Sequence, residues 1–208
     1  MMPPSSERQS ARTKLLDASL NVIRAKGYSA TTVDDLCADA GVTKGAFFHH
    51  FVSKEALAIA AADYWSETTS ALFAEAPYHA HADALDRVLG YIDFRKALLK
   101  GSVPEFSCLV GTLVQEVYDT HPAIRAAVDR SISEHAARIE TDIAEAMRER
   151  GVEGSASSLA LHTQAVIQGA FILAKAKGGA EVAADSIDHL RRYVELLFAG
   201  AAVMKGTR

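Results

Sequence analysis

The sequence predicts an all-α protein: an N-terminal three-helix head containing a helix-turn-helix, followed by a helical-bundle body, about nine helices in all. Long runs rich in Ala, Leu, Glu and Arg recur without alternating Val/Thr/Tyr segments, so the apolar period is that of helices rather than strands. Of the five prolines in 208 residues, Pro77, Pro104 and Pro122 fall where a helix is expected to start or stop. Gly27, Gly101, Gly151 and Gly178 close four of the runs. A chain that is 49% hydrophobic and 23% charged is able to bury a core.

The first helix is expected from near Glu7 to Lys26, with Leu16, Leu20 and Ile23 on one face; residues 1–6 are expected to be disordered. Arg8, Arg12 and Lys14 on this helix suit either a solvated face or contact with phosphate. Thr32 is a good N-cap for the second helix, and Asp35 three residues on makes a near capping box. Val33, Leu36, Cys37 and Ala40 share one face, and Gly41 stands where the turn needs a positive φ. Val42 re-enters the core, Thr43 caps the third helix, and Phe47 and Phe51 bury its inner side. Lys44, Gly45, Phe48 and His49 are left outward: a cation, a close-approach point, an aromatic edge and a hydrogen bonder. That set suits a helix lying in the major groove of DNA. Ser53 caps a fourth helix from Lys54 to about Ala76. Five more follow: Ala82–Lys100, Pro104–Thr120, Pro122–Arg150, Ser157–Lys177 and Ala184–Met204. The head is placed at residues 1–53 and the body at 54–208.

From Thr32 to Leu57 the chain reads TVDDLCADAGVTKGAFFHHFVSKEAL, which resembles the DNA-binding segment of the TetR family of bacterial repressors. Cys37 stands where that family has a small Ala, Phe47 where it has Leu, and Phe48 where it has Tyr, which removes a phenol hydroxyl. The resemblance implies a transcriptional regulator, most often a repressor, that binds a palindromic double-stranded operator as a homodimer. It also implies DNA contacts from Thr32, Thr43, Lys44, Gly45, Phe48, His49 and Lys54. Lys54 opens a helix whose dipole a cation opposes, so a structural reason for it is not evident and a phosphate is the expected partner.

Charge and cysteine content fit this expectation. Residues 1–54 carry a net +2 and the remainder a net −6, a basic head on an acidic body. Two cysteines make no disulfide framework, and neither a signal segment nor a continuous apolar run long enough for a bilayer is evident, so the cytoplasm is expected. No nucleophile–base pair or phosphate-cradling glycine loop appears, so neither an enzyme nor a cofactor is expected. His79 and His81, two apart in a polar loop, lack the further ligands a metal needs. The remaining rival is a helical ligand-binding or scaffolding protein that does not bind DNA.

In the body, Ile187, Leu190, Val194 and Leu197 recur near a heptad spacing, with Tyr193 and Phe198 beside them, and Ala165, Gly169 and Ala170 allow close helix approach. The stripes serve either a dimer interface or packing within one subunit; the resemblance implies a homodimer through the last two helices. An effector cavity is expected among the middle helices, with Phe94, Phe171, Gln115 and Gln168 as candidate lining and Glu116, His162, Gln164 and Lys175 as further polar groups. The runs SCLVGTLVQEV (Ser107 to Val117) and QGAFILAKAKGG (Gln168 to Gly179) resemble TetR-type repressors that sense electrophiles and reactive chlorine. That resemblance implies a switch of Cys108 with Lys175 and a thiol-reactive electrophile as effector. The other readings are an inert, packed thiol and a small-molecule inducer bound without covalent chemistry.

Overall fold

Side-chain caps open most of the helices, and they fix where each begins. In the computed structural model residues 9–205 are described, with side chains described through residue 199. Among them are ten α-helices and no strand: α1 (Ala11–Lys26), α2 (Val33–Ala40), α3 (Lys44–His50), α4 (Lys54–Ala74), α5 (Ala84–Ala97), α6 (Val103–Phe106), α7 (Leu109–Val117), α8 (Pro122–Arg150), α9 (Ala156–Lys177) and α10 (Glu181–Lys205). Ser10 accepts from the Thr13 N–H and starts α1 at Ala11. The expected start near Glu7, the side chain of Arg8 and the expected disorder of residues 1–6 lie outside the described residues. Ser53 accepts from the Ala56 N–H and Ser155 from the Ser158 N–H. Asp83 accepts from the N–H groups of Leu85 and Asp86, which starts α5 at Ala84 rather than Ala82. Gly151, at φ 64° and ψ 38°, supplies the left-handed residue that stops α8.

Two expectations are corrected by local geometry. The helix expected over Pro104–Thr120 is interrupted, because Ser107 and Cys108 are extended and separate α6 from α7. Cys108 then caps α7 itself, its Sγ accepting from the Gly111 N–H at 3.5 Å. The His79–His81 loop is instead a 3-10 turn, Pro77–Ala80, in which His79 Nε2 lies 2.9 Å from the Phe73 carbonyl. Among the described residues no group of three potential metal ligands occurs.

The long helix α8 packs against α4, α5, α7 and α9, and α10 closes the body against α5 and α9. Two large apolar clusters result, beside a small one of Ala170, Ala174 and Ala183. One joins Phe73 of α4, α5, the C-terminal half of α8, α9 and α10 around Tyr91, Ile143, Ile167 and Val194. The other holds Leu15, Leu36, Phe47 and Leu57 of the head together with Leu109, Val110, Leu113 and Val117 of α7 and Ile124 and Val128 of α8. Head and body therefore share a core across the expected 53/54 boundary. By length and composition α9 would suffice to cross a membrane, yet its Leu159, Ala160, Ile167 and Ala170 are buried within the protein.

The stripe expected to be the subunit seam faces inward. Ile187, Leu190, Val194 and Phe198 are buried in the core of the same chain, and Leu197 packs against that core. The outward apolar residues of α10 are Tyr193 and Leu196, and those of α9 are Leu161, Ile172 and Leu173. Ala165 is exposed between them, whereas Ala170 is buried. A Cβ added at Gly169 would meet nothing within 4 Å. The heptad count finds an apolar stripe but does not say which layer covers it.

Leu113 is fully buried in the cluster shared by head and body. Leu113→Ala is expected to destabilise the protein by about 2–5 kcal/mol. Thermal unfolding followed by circular dichroism should move as one transition; a shift confined to part of the signal would contradict the shared core.

Candidate nucleic-acid interface and buried cavity

In the head, α2 is opened by a complete capping box: the Asp35 N–H donates to Thr32 Oγ1 at 3.1 Å and the Thr32 N–H to Asp35 Oδ2 at 2.7 Å. Asp can fill the role expected of Glu because Lys26 also approaches its carboxylate, at 2.6 Å. The Lys26 and Thr32 hydrogen bonds hold the Asp35 carboxyl well below the usual carboxylate range. Gly41, at φ 62° and ψ 40°, turns the chain between the helices. Thr43 then accepts from the Ala46 N–H and opens α3. Phe47 is fully buried, stacked near Phe51 at 6.0 Å, and anchors the inner side of α3.

The outer side is open. Lys44, Gly45, Phe48, His49 and the capping Thr43 are exposed, and Thr32 is exposed at the adjoining end of α2. Nothing closer than Thr43 Oγ1 at 3.7 Å would meet a Cβ at Gly45, so this turn can lie close to a flat partner. Lys44 forms an exposed ion pair with Asp34 at 2.8 Å. His50 and Val52, which sequence reading passed over, extend the surface; Val52 is 85% exposed. An exposed valine directly after a helix that anchors through Phe51 is the signal that could have found it.

Lys54 has a structural task that the sequence did not show. Its ammonium donates to the carbonyls of Tyr28 at 3.0 Å and Thr31 at 2.9 Å, and sits 4.2 Å from the Tyr28 ring centroid. The dipole argument fails here because the side chain folds back from the helix axis onto carbonyls of the α1–α2 turn, that of Tyr28 also accepting from the Thr31 N–H. On the other side of that turn, the Glu116 carboxylate of α7 accepts from the N–H groups of Tyr28 at 3.0 Å and Ser29 at 2.9 Å. Arg24 of α1 donates to the Glu105 carbonyl of α6 at 2.9 Å. The head thus hangs from α6 and α7 by charged groups on backbone, the stronger kind of hydrogen bond. Glu116 was expected at a cavity and is found at this joint.

A partly open cavity of about 180 Å³ lies between α4, α5, α6–α7, α8 and α9. Of the residues expected to line it, Cys108, Gln168 and Phe171 do, as does Gln164. Phe94 does not: it packs edge-on to Phe73, centroids 5.4 Å apart. Gln115 turns back along its own helix and donates to the Gly111 carbonyl. Lys175 donates to Thr112 Oγ1 at 2.7 Å, bracing α9 against α7 one turn from Cys108. His162 is exposed against Tyr193, ring centroids 5.3 Å apart.

Sequence reading missed Trp65, Arg95 and His135 in the cavity wall. His135 interrupts an apolar stripe running from Val128 through Ile132 to Ile139, and that placement was the available signal. Its Nε2 lies 2.9 Å from the Tyr91 hydroxyl, which accepts from the Gln164 amide at 2.8 Å, and 3.3 Å from Arg95 Nη1. Burial, then the nearby Arg95 and Arg138, pull the His135 pKa from 6.5 down to about 3. The imidazole is therefore neutral and accepts at Nε2.

A histidine held below its unfolded value binds its proton less readily when folded. The stability it contributes is complete above pH 6.5 and is lost as pH falls toward about 3. Relative to His135→Gln, the wild-type protein is expected to lose up to about 1.4 kcal/mol more per pH unit across that window. Denaturant titrations at several pH values measure it, and parallel slopes for the two proteins would contradict the assignment.

Comparison with known proteins bears on both sites. Residues 15–61 match the family described as bacterial regulatory proteins, tetR family, and residues 84–190 match a tetracyclin repressor-like C-terminal domain. Over 61 residues the chain is 39% identical to the HTH-type transcriptional repressor KstR2 of Rhodococcus jostii, covering 27% of this chain and 30% of that protein. The curated relatives are matched over less than a third of their own length, 19% and 30% for two of them. A TetR-family transcriptional regulator from Agrobacterium tumefaciens superposes with a TM-score of 0.78 at 19% identity, covering 89% of this chain and 97% of the other. The reduced form of Escherichia coli NemR does so with a TM-score of 0.73 at 24% identity, covering 88% and 96%. At these identities the superpositions speak to the fold.

Proposed function

The chain belongs to the TetR family of bacterial regulatory proteins, helix-turn-helix transcription factors rather than enzymes, and on that premise we propose that it is a repressor. As a homodimer it holds a palindromic operator, and a small-molecule inducer or modification of Cys108 releases it. The observation that carries the reading is the open outer face of α3, where Lys44, Gly45, Phe48 and His49 project beyond a helix otherwise anchored by buried Phe47. A helix presented this way fits the major groove, its cation near phosphate and its polar and aromatic edges near bases. The N-terminus of α4, headed by Ser53 and Lys54, offers backbone N–H groups to a second phosphate.

Dimerisation through α9 and α10 is supported by what those helices leave outward. Leu161, Ala165, Ile172, Tyr193 and Leu196 are exposed, and the His162–Tyr193 contact brings the two helices' outer faces together. An exposed apolar face of this kind is typical of a protein interface. Two copies joined there form a four-helix bundle whose two-fold axis sets the reading helices one DNA turn apart.

Release requires an effector that binds the DNA-competent and released arrangements unequally. The route from cavity to head is short. Cys108 lines the cavity and caps α7, while Glu116 near the other end of α7 holds the turn before α2. A ligand or an adduct on the Cys108 sulfur, placed where that sulfur accepts from Gly111, displaces α6 and α7 against α4 and so moves the heads.

Fluorescence anisotropy on duplex DNA from upstream of the coding region tests the reading. Affinity is expected to fall linearly on a log scale with salt, and Lys44→Ala to weaken binding by about 1–2 kcal/mol per dimer. Binding indifferent to salt would remove the repressor assignment. N-ethylmaleimide should release wild-type and Cys37→Ser protein but leave Cys108→Ser bound. Release that persists in Cys108→Ser would exclude that thiol as the switch.

A further inference from the structure

We propose that the body cavity takes a small, single-ring organic acid, its carboxylate held by Arg95 and its ring by the surrounding aromatic side chains. The inference deepens the repressor reading, and rests on it only for what binding does to DNA affinity.

Size sets the first limit. A cavity of roughly 150 Å³ accepts one benzene ring, so the sheltered space of about 180 Å³ matches a single ring with one small substituent, although the cavity opens to solvent at the Glu134 rim. The walls set the second. Trp65 and Phe73 of α4, Phe106 of α6 and Phe171 of α9 supply flat apolar surface from three different elements. An apolar ring is therefore enclosed on several sides rather than laid against one.

Charge sets the third limit. The Arg95 guanidinium lies 5.4 Å from the Phe73 ring centroid and 5.8 Å from that of Phe171, which fixes its orientation at the cavity wall. Among the described residues its polar contact is the single one to His135 Nε2, and no carboxylate stands within ion-pair distance. The two acids along the wall are placed elsewhere. Glu105 accepts from the N–H and hydroxyl of Ser102, and Glu134 is exposed at the rim. His135, already shared with Tyr91, is neutral and offers no compensating charge. The guanidinium fork thus keeps donors for a carboxylate, which it fits in a bidentate manner. The Gln168 amide, without a hydrogen bond among the described residues, adds a neutral donor and acceptor on the facing helix.

The same geometry disfavours a cationic ligand. Arg95 stands beside Phe73 and Phe171 and Arg24 lies 5.3 Å from the Trp65 ring centroid, so two cations already stand at the aromatic wall and repel an ammonium.

Trp65 lines the cavity and is the only tryptophan in the chain, so its fluorescence reports binding directly. The dimer is titrated with benzoate, benzamide and benzylamine, with calorimetry alongside. Benzoate is expected to saturate, with benzamide and benzylamine at least about tenfold weaker. Arg95→Gln should bring benzoate to the level of benzamide, and Arg95→Lys should restore part of the difference, with circular dichroism confirming both folds. Equal binding of the amide, preference for the amine, saturation by none of the three, or unchanged benzoate affinity in a folded Arg95→Gln protein would each overturn the proposal. Operator anisotropy of the ligand-free dimer separates the two readings. Acid binding without operator binding removes the repressor assignment alone, and the reverse removes this inference alone.

Discussion

The short helix α7 is held on one side by burial and on the other by charge. Leu109, Val110, Leu113 and Val117 are inside an apolar cluster contributed jointly by the head and by α8. Glu116, on the solvent side of the same helix, accepts two backbone N–H groups from the turn that precedes α2. The head cannot rotate freely about a flexible joint, because its first turn is bonded to α7 and its core is continuous with that of the body. Lys54 completes the arrangement from the other side of the turn, so the loop between α1 and α2 is gripped by an anion on its donors and a cation on its acceptors. Close packing transmits displacement well, since a core at crystal-like density has little void to absorb it.

This construction explains why the cavity is placed where it is. Cys108 belongs to the fringe of both apolar clusters and to the cavity wall, and its sulfur is the cap of α7. The cavity wall and the first turn of the helix that carries the head thus meet at one side chain. Lys175 adds a brace from α9 through Thr112. The network is local and made of ordinary contacts, and its two ends are only one short helix apart.

How much was legible in the sequence follows from how local each determinant is. The caps Thr32, Thr43 and Ser53, the left-handed Gly41 and the Pro122–Gly151 limits of α8 are set by residues within one turn of each other, and reading them needs no partner. The outward face of α3 was legible for the same reason, since the buried Phe47 fixes the rotation of the helix. The break at Ser107–Cys108 contains neither proline nor glycine, and arises from a thiol acting as a cap. The direction of a stripe was not legible where both sides of a helix are apolar, so the Ile187–Val194 row of α10 suits either a subunit seam or internal packing by sequence, and the structure turns it inward. In the cavity, Phe94 and Gln115 have the right residue types at the wrong helical angle, whereas Arg95 and His135 are charged or polar types whose burial depends on packing between distant segments.

The exposed pair between Lys44 and Asp34 has a consequence for how the reading helix meets a polyanion. Lys44 is already neutralised within the chain, so a phosphate that takes it must displace a carboxylate, which then recruits a cation from solution. Part of the entropy gained when DNA sheds its condensed ions is returned at Asp34. If Phe48 and His49 read bases as proposed, arbitrary sequence, which offers only backbone charge, would lose proportionately more by this exchange than the operator. On the proposed reading, Asp34 would thus compete with phosphate for the same ammonium, and it would do so most where backbone charge is all the DNA offers.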